Sequence, residues 1–145
     1  MATLNPYLNF PGNAEEAFNF YKSVFGGDFA GGVFRFDGTP GAEKLSDSEK
    51  QKVMHIALPI GKGNVLMATD ALESMGHKVT PGTNFHLSIE ADNKEEAEKI
   101  FNGLSKDGKI TIPLADAFWG AYFGMLTDKF GIQWMVNYTY PRENQ

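Results

Sequence analysis

"FHLSIEADNKEEAEKIF" (residues 85–101) repeats the form of "YLNFPGNAEEAFNFY" (residues 7–21) within one chain. Each begins with alternating apolar and polar residues, the period of a half-buried strand. A polar turn follows, then a segment with Glu-Glu-Ala at its start. Apolar positions then recur at helical spacing: Ala17, Phe20, Tyr21 and Val24 in the first copy, Ala97, Ile100, Phe101 and Leu104 in the second. That i, i+3, i+4, i+7 stripe gives a helix one buried face. The helices are expected to start at Asn13 and Asn93, with Glu16 and Glu96 three residues on, the spacing of a capping box.

The repeat continues downstream. "HIALPIGKGNVLMATD" (55–70) aligns with "FGMLTDKFGIQWMVNY" (123–138) at a constant offset, placing Gly63 on Gly131, Met67 on Met135 and Thr69 on Asn137. The Lys-Gly pair 62–63 and the Phe-Gly pair 130–131 suit hairpin turns, where a positive φ favours glycine. Strands are therefore expected over 53–60, 64–69, 121–127 and 132–138, with one further strand per half over 28–36 and 108–114. Each half then reads β-α-β-β-β. The chain is a single domain, 1–145, made of module one (about 1–70), a linker (71–83) and module two (about 84–140). Residues 37–52 form a polar loop inside module one. Gly26, Gly27, Gly31 and Gly32 follow a helix instead of joining a strand to one, which argues against a dinucleotide or methyl-donor loop.

Composition narrows the function classes. The 42% hydrophobic content and twelve Phe among 145 residues supply a core. A net charge of -5 argues against nucleic acid and against an anionic membrane surface as partners. With no Cys there is no thiolate nucleophile, Cys metal site or disulfide, which suits a reducing compartment. The first residues, "MATLNPYLNF", lack a basic segment followed by a long apolar one, so no signal peptide is expected. The expected location is the cytoplasm.

Strand faces select the candidate site. In 85–91, Phe85, Leu87, Ile89 and Ala91 point toward the helix, whereas His86, Ser88 and Glu90 oppose them. In the first strand, Leu4, Pro6, Leu8 and Phe10 take the helix side, and Asn5, Tyr7 and Asn9 the other; matching by face pairs Asn5 with His86. Met67, Met135, Thr69, Gln133 and Asn137 share the helix-free faces, and His55 pairs with Phe123. An apolar surface with a few polar groups suits a small molecule. A second core layer accounts better for Met67, Met135 and Phe123, since Met fills irregular gaps. For His55 and His86 both accounts stand.

The two modules, with "NFYKSVFGG" ending the first helix, "MHIALPIG…LMATD" and "LTDKFGIQWMVN", resemble the vicinal-oxygen-chelate superfamily over nearly the whole chain. That superfamily includes glyoxalase I, bleomycin resistance proteins and extradiol dioxygenases, and the resemblance is to its PhnB-like branch. It implies an α+β fold of two tandem βαβββ modules whose curved mixed sheets enclose a cleft, and a homodimer, with modules exchanged between chains as one arrangement. Metal-binding members use His on the first strand of a module and Glu on the last. Carried over, the ligand positions fall on His86 in module two, on Asn5 (or Pro6) in module one, and on Met67 and Met135 in place of glutamates. His86 is the one match. An amide, two thioethers and one imidazole do not make a catalytic zinc site or a hard-cation site. Only His55, with Asp70 or Glu90, could join His86, so no cofactor is expected and a divalent metal is the alternative. Some members of the branch carry a demethylubiquinone methyltransferase label, which the glycine pattern does not support.

Three functions follow. The first is metal-independent binding of a small organic molecule in the cleft, lined by Asn5, Tyr7, His55, Met67, His86, Trp119, Phe123 and Met135. The second is a lyase or isomerase using His55 or His86 as acid or base, or a relocated metal. The third is a structural or interaction module. "AFWGAYFG" (117–124) fits a cleft wall, a core element or a dimer interface.

Overall fold

Met67 lies between Tyr7 of one strand and Ala57 of another, and Met135 between Ser88 and Met125; each methionine marks an inner strand of its own four-stranded sheet. The computed structural model describes residues 1–141 and divides into a first unit, Met1–Thr80, and a second that begins at Pro81. The first unit contains β1 (Tyr7–Phe10), α1 (Ala14–Phe25), β2 (Phe34–Arg35), α2 (Asp47–Lys50), β3 (Val53–Ile60) and β4 (Asn64–Asp70). The second contains β5 (Leu87–Glu90), α3 (Lys94–Ser105), β6 (Lys109–Ala117), β7 (Ala121–Thr127) and β8 (Gln133–Thr139). The sheets are ordered β1-β4-β3-β2 and β5-β8-β7-β6. In each, the outer strand before the helix runs parallel to the last strand and the other pairs are antiparallel. This is the expected α+β class, with two open mixed sheets.

In the first unit, Leu8 and Phe10 of β1, Ile56 and Leu58 of β3, and Leu66 and Ala68 of β4 are buried on the helix side. The register that pairs Ile56 with Ala68 and Leu58 with Leu66 puts them on one face. The α1 stripe is Ala14, Ala17, Phe18 and Tyr21, with Phe20 and Val24 only half-buried. The expected stripe is thus rotated onto Phe18, because that ring meets Phe10 edge-on at 6.3 Å and Tyr21 at 5.5 Å. Burying a side chain of this size stabilises by about 1.5–3 kcal/mol. In the second unit Ala97, Ile100, Phe101 and Leu104 are all buried as expected, with Leu126, Trp134 and Val136.

The two helices are capped differently. Asn93 accepts a hydrogen bond from the Glu96 amide at 2.8 Å, while the Glu96 carboxylate accepts from the Asp92 amide, one residue short of the box. Asn13 makes no cap bond. Asp70, beside Phe10 at the end of β4, replaces it: Oδ1 accepts from the Ala14 amide at 2.9 Å and Oδ2 from the Val53 amide at 2.8 Å. A carboxylate suits the positive end of a helix.

Other boundaries shift for local reasons. The strand expected over 28–36 shrinks to Phe34–Arg35, because Gly31 and Gly32 within it have positive φ of 73° and 82°, which an extended strand excludes. The polar loop 37–52 contains α2, capped by Ser46 and Glu49 in a complete capping box. Strand β5 omits Phe85 and His86. Strand β6 runs on to Ala117 with two register shifts. Among the described residues, no helix is long and apolar enough to cross a membrane.

Candidate functional site

In each unit the helix covers one face of the sheet, and the opposite face carries the candidate residues. On the first unit, the parallel register sets Tyr7 beside Met67 and Asn9 beside Thr69. Antiparallel pairing then sets Met67 beside Ala57, and Phe34 beside His55. The rings converge: His55 lies 6.0 Å from Tyr7 and 6.2 Å from Phe34, centroid to centroid, at interplanar angles of 31° and 41°. Tyr7 and Phe34 remain 47% and 45% exposed.

On the second unit the same parity brings Ser88 and Glu90 of β5 beside Met135 and Asn137 of β8, with Phe123 of β7 opposite Asn137 and Met125 opposite Met135. The Glu90 carboxylate is fixed by four donations, from the Asn137 amide group to both oxygens (3.0 and 3.2 Å) and from the Thr139 amide and hydroxyl. Trp119, in the β6–β7 turn, packs edge-on against Phe123 at 5.3 Å, and Phe118 against Trp119 at 5.0 Å. His86 shares the parity of Ser88 and is half-buried.

The structure therefore brings Tyr7, His55 and Met67 together on one sheet, and Phe123, Met135 and Trp119 on the other. Asn5 does something else: its side-chain oxygen accepts from the Val65 amide at 2.9 Å, pinning the approach to β1 against β4. Gln133 does the equivalent in the second unit, donating to the Phe85 carbonyl at 2.6 Å. Phe34 and Thr139 escaped the sequence reading. Phe34 sits in a two-residue strand among glycines, and Thr139 lies just past the expected end of β8; the one usable signal was strand parity, Thr139 following Gln133, Met135 and Asn137.

These residues do not fit the metal that the superfamily's metal-binding members hold. At the corresponding positions the first unit offers Asn5, already engaged with Val65, and Met67; the second offers His86 and Met135. Asp70 cannot help, being 2% exposed with both oxygens held by backbone amides on the helix side. Glu90 is tied to Asn137 and Thr139. No group of three His, Cys, Asp or Glu side chains suited to a metal occurs among the described residues.

A second polar cluster involves tyrosines near the β6–β7 turn of the second unit. The Tyr140 hydroxyl donates to Asp116, which holds the phenol up at about 12. Partial burial, and then the nearby Glu98 carboxylate, also push Tyr122 above its ordinary value. Phenols held protonated in this way are donors, not bases, near neutral pH.

Comparison with known proteins places this architecture. The family model described as the Glyoxalase/Bleomycin resistance protein/Dioxygenase superfamily matches residues 3–136. Protein YjdN of Escherichia coli (strain K12) is 30% identical over 143 residues, covering 92% of this chain and 93% of YjdN. Protein PA1353 of Pseudomonas aeruginosa is 37% identical with a TM-score of 0.83, covering 96% of this chain and 98% of its own. The PhnB protein of Bacillus cereus is 28% identical with a TM-score of 0.75, covering 95% and 100%.

Proposed function

The chain belongs to the Glyoxalase/Bleomycin resistance protein/Dioxygenase superfamily, in its PhnB-like branch, and from that premise we propose that it binds a small organic molecule on the helix-free faces of its sheets without the superfamily's full metal site. The observation that carries this reading is the pair of methionines, Met67 and Met135, on the inner strand of each sheet among Tyr7 and His55 in one unit and Phe123 and Asn137 in the other. Thioethers and aromatic rings give polarizable apolar contact, and neither replaces the oxygen donors that a hard divalent cation requires. Asn5, Tyr7, His55, Met67, His86, Trp119, Phe123 and Met135 are the proposed ligand-binding set.

An acid/base enzyme of the lyase or isomerase type is the second reading. It is favoured by one observation: among the described residues, the His55 side chain contacts two rings and makes no hydrogen bond or ion pair. That leaves both ring nitrogens to a substrate. The name of the Bacillus cereus relative includes 3-demethylubiquinone-9 3-methyltransferase, but the glycines after α1 turn the chain toward β2 instead of opening a helix, so we do not extend methyl transfer to this chain.

The same reading has the protein acting as a cytoplasmic homodimer. The cysteine-free composition and the exposed Ile110, Ile112 and Phe118 on and beside the edge strand β6 support it.

A thermal-shift screen of small aromatic and aliphatic compounds, run in the presence of EDTA, tests the function. The expected result is a ligand that raises Tm under chelation and loses its effect either in Tyr7→Ala and Met67→Ala proteins, for the first sheet, or in Phe123→Ala and Met135→Ala proteins, for the second. A screen whose hits appear only with an added divalent metal contradicts it.

A further inference from the structure

Within that binding reading, on which this inference rests, we propose that the helix-free face of the first unit is a stacking platform for a flat aromatic ring carrying an oxygen substituent. Tyr7 and Phe34 hold the ring, and His55 hydrogen-bonds the oxygen.

Three features of the face lead there. The first is convergence from separate strands. Tyr7 comes from β1, His55 from β3 and Phe34 from the two-residue strand β2 that pairs Phe34 with His55, which brings the rings within 6.0 and 6.2 Å of the imidazole. Both flanking rings stay nearly half exposed, an arrangement in which burial by a ligand ring removes apolar surface from water. The second is the neighbour set. Met67 lies beside Tyr7, and Ala57 beyond it presents only a methyl group, leaving an apolar floor.

The third is charge. The helix-free positions of β1, β3 and β4 (Tyr7, Asn9; His55, Ala57, Pro59; Val65, Met67, Thr69) hold no carboxylate and no Lys or Arg. A ligand of either charge over the rings would find no counter-charge on these strands, which favours a neutral one. The imidazole, which can donate through one nitrogen and accept through the other, is the strongest polar group on the face that lacks a hydrogen-bond partner among the described residues. It therefore selects an oxygen-bearing ligand over a trimethylammonium. The second unit differs at this point, since its corresponding face carries Glu90, already satisfied by Asn137 and Thr139.

Isothermal titration calorimetry on the whole chain, with three probes, tests this. The probes are 2-naphthol, its saturated analogue decahydro-2-naphthol, and (2-naphthyl)trimethylammonium. Naphthol is expected to bind about ten-fold more tightly than either of the others, a ten-fold ratio being one decade in Kd. Tyr7→Leu and Phe34→Leu should reduce the advantage of naphthol over its saturated analogue, and His55→Phe should reduce its advantage over the ammonium probe. In the unmodified protein, the His55 ring-proton NMR signals should shift on adding naphthol; this readout does not depend on any variant folding. Equal binding of the flat and saturated alcohols overturns the platform, and tighter binding of the ammonium overturns the role of His55. If none of the three binds while the thermal-shift screen finds other ligands, the platform is wrong and the binding reading stands; if that screen finds nothing, the binding reading falls with it.

Discussion

Met67 and Met135 occupy the same place in two separate sheets, each on the strand that pairs in parallel with the first strand of its unit and antiparallel with the next. Both are half-buried on the helix-free face. If they serve as adaptable apolar contacts, Met67→Leu and Met135→Leu should be tolerated, because volume-conserving swaps usually cost under about 1.5 kcal/mol. Denaturant unfolding should show that small change, and elemental analysis should show no change in bound copper or other metal. Loss of a stoichiometric soft metal in either variant would make the thioethers ligands.

Asp70 ties the start of α1 to the start of β3 through two backbone amides. Asp70→Ala leaves two donors unsatisfied at a buried site, at roughly 1–3 kcal/mol each. Asp70→Asn keeps one good acceptor and should lose less. Hydrogen exchange should show faster opening of the Ala14 and Val53 amides in the alanine variant, with β7 and β8 of the second unit unaffected.

Gly124 marks a close approach in the second unit. A Cβ there would meet the Phe101 ring at 2.7 Å and the Leu114 backbone at 2.9 Å. Ring movement alone cannot relieve a backbone contact, so Gly124→Ala should push β6 from β7 and destabilise by about 1–3 kcal/mol. The neighbouring Met125→Leu should cost less, by the same denaturation assay.

The Tyr140 phenol, held by its hydrogen bond to Asp116, moves from the ordinary 10.0 to about 12. Its folded value lies above its unfolded one, so the unfolded state releases the proton first. The contribution to stability is complete below about pH 10 and is lost as the pH rises toward 12. Phenolate absorbance should therefore show a late-titrating tyrosine that Tyr140→Phe removes and Asp116→Asn brings earlier. An unchanged titration curve in both variants would contradict the pairing.

The duplication made the fold legible, since two copies of a strand–helix pattern and two glycine hairpins constrain one another. The α3 stripe and the hairpins β3–β4 and β7–β8 follow from periodicity and turn chemistry alone. What stayed hidden depended on distant partners. The cap on α1 comes from Asp70, 56 positions away in sequence, so Asn13 at the correct local spacing was misleading. The helical spacing put Phe20 in the α1 stripe, whereas Phe18 is the buried ring, packed edge-on against Phe10. Strand parity placed Tyr7, His55 and Met67 on one face. Phe34 joins them only because a glycine-rich turn returns the chain for two residues, and Asn5, right by parity, proves to be a backbone pin.

Metal content tests the central claim most directly. Protein purified without chelators and without added metals, analysed for Ni, Zn, Mn, Fe and Cu, should hold far less than one metal per chain, and His86→Ala should change nothing. A stoichiometric metal that His86→Ala removes would contradict the account and restore His86 as part of a working centre.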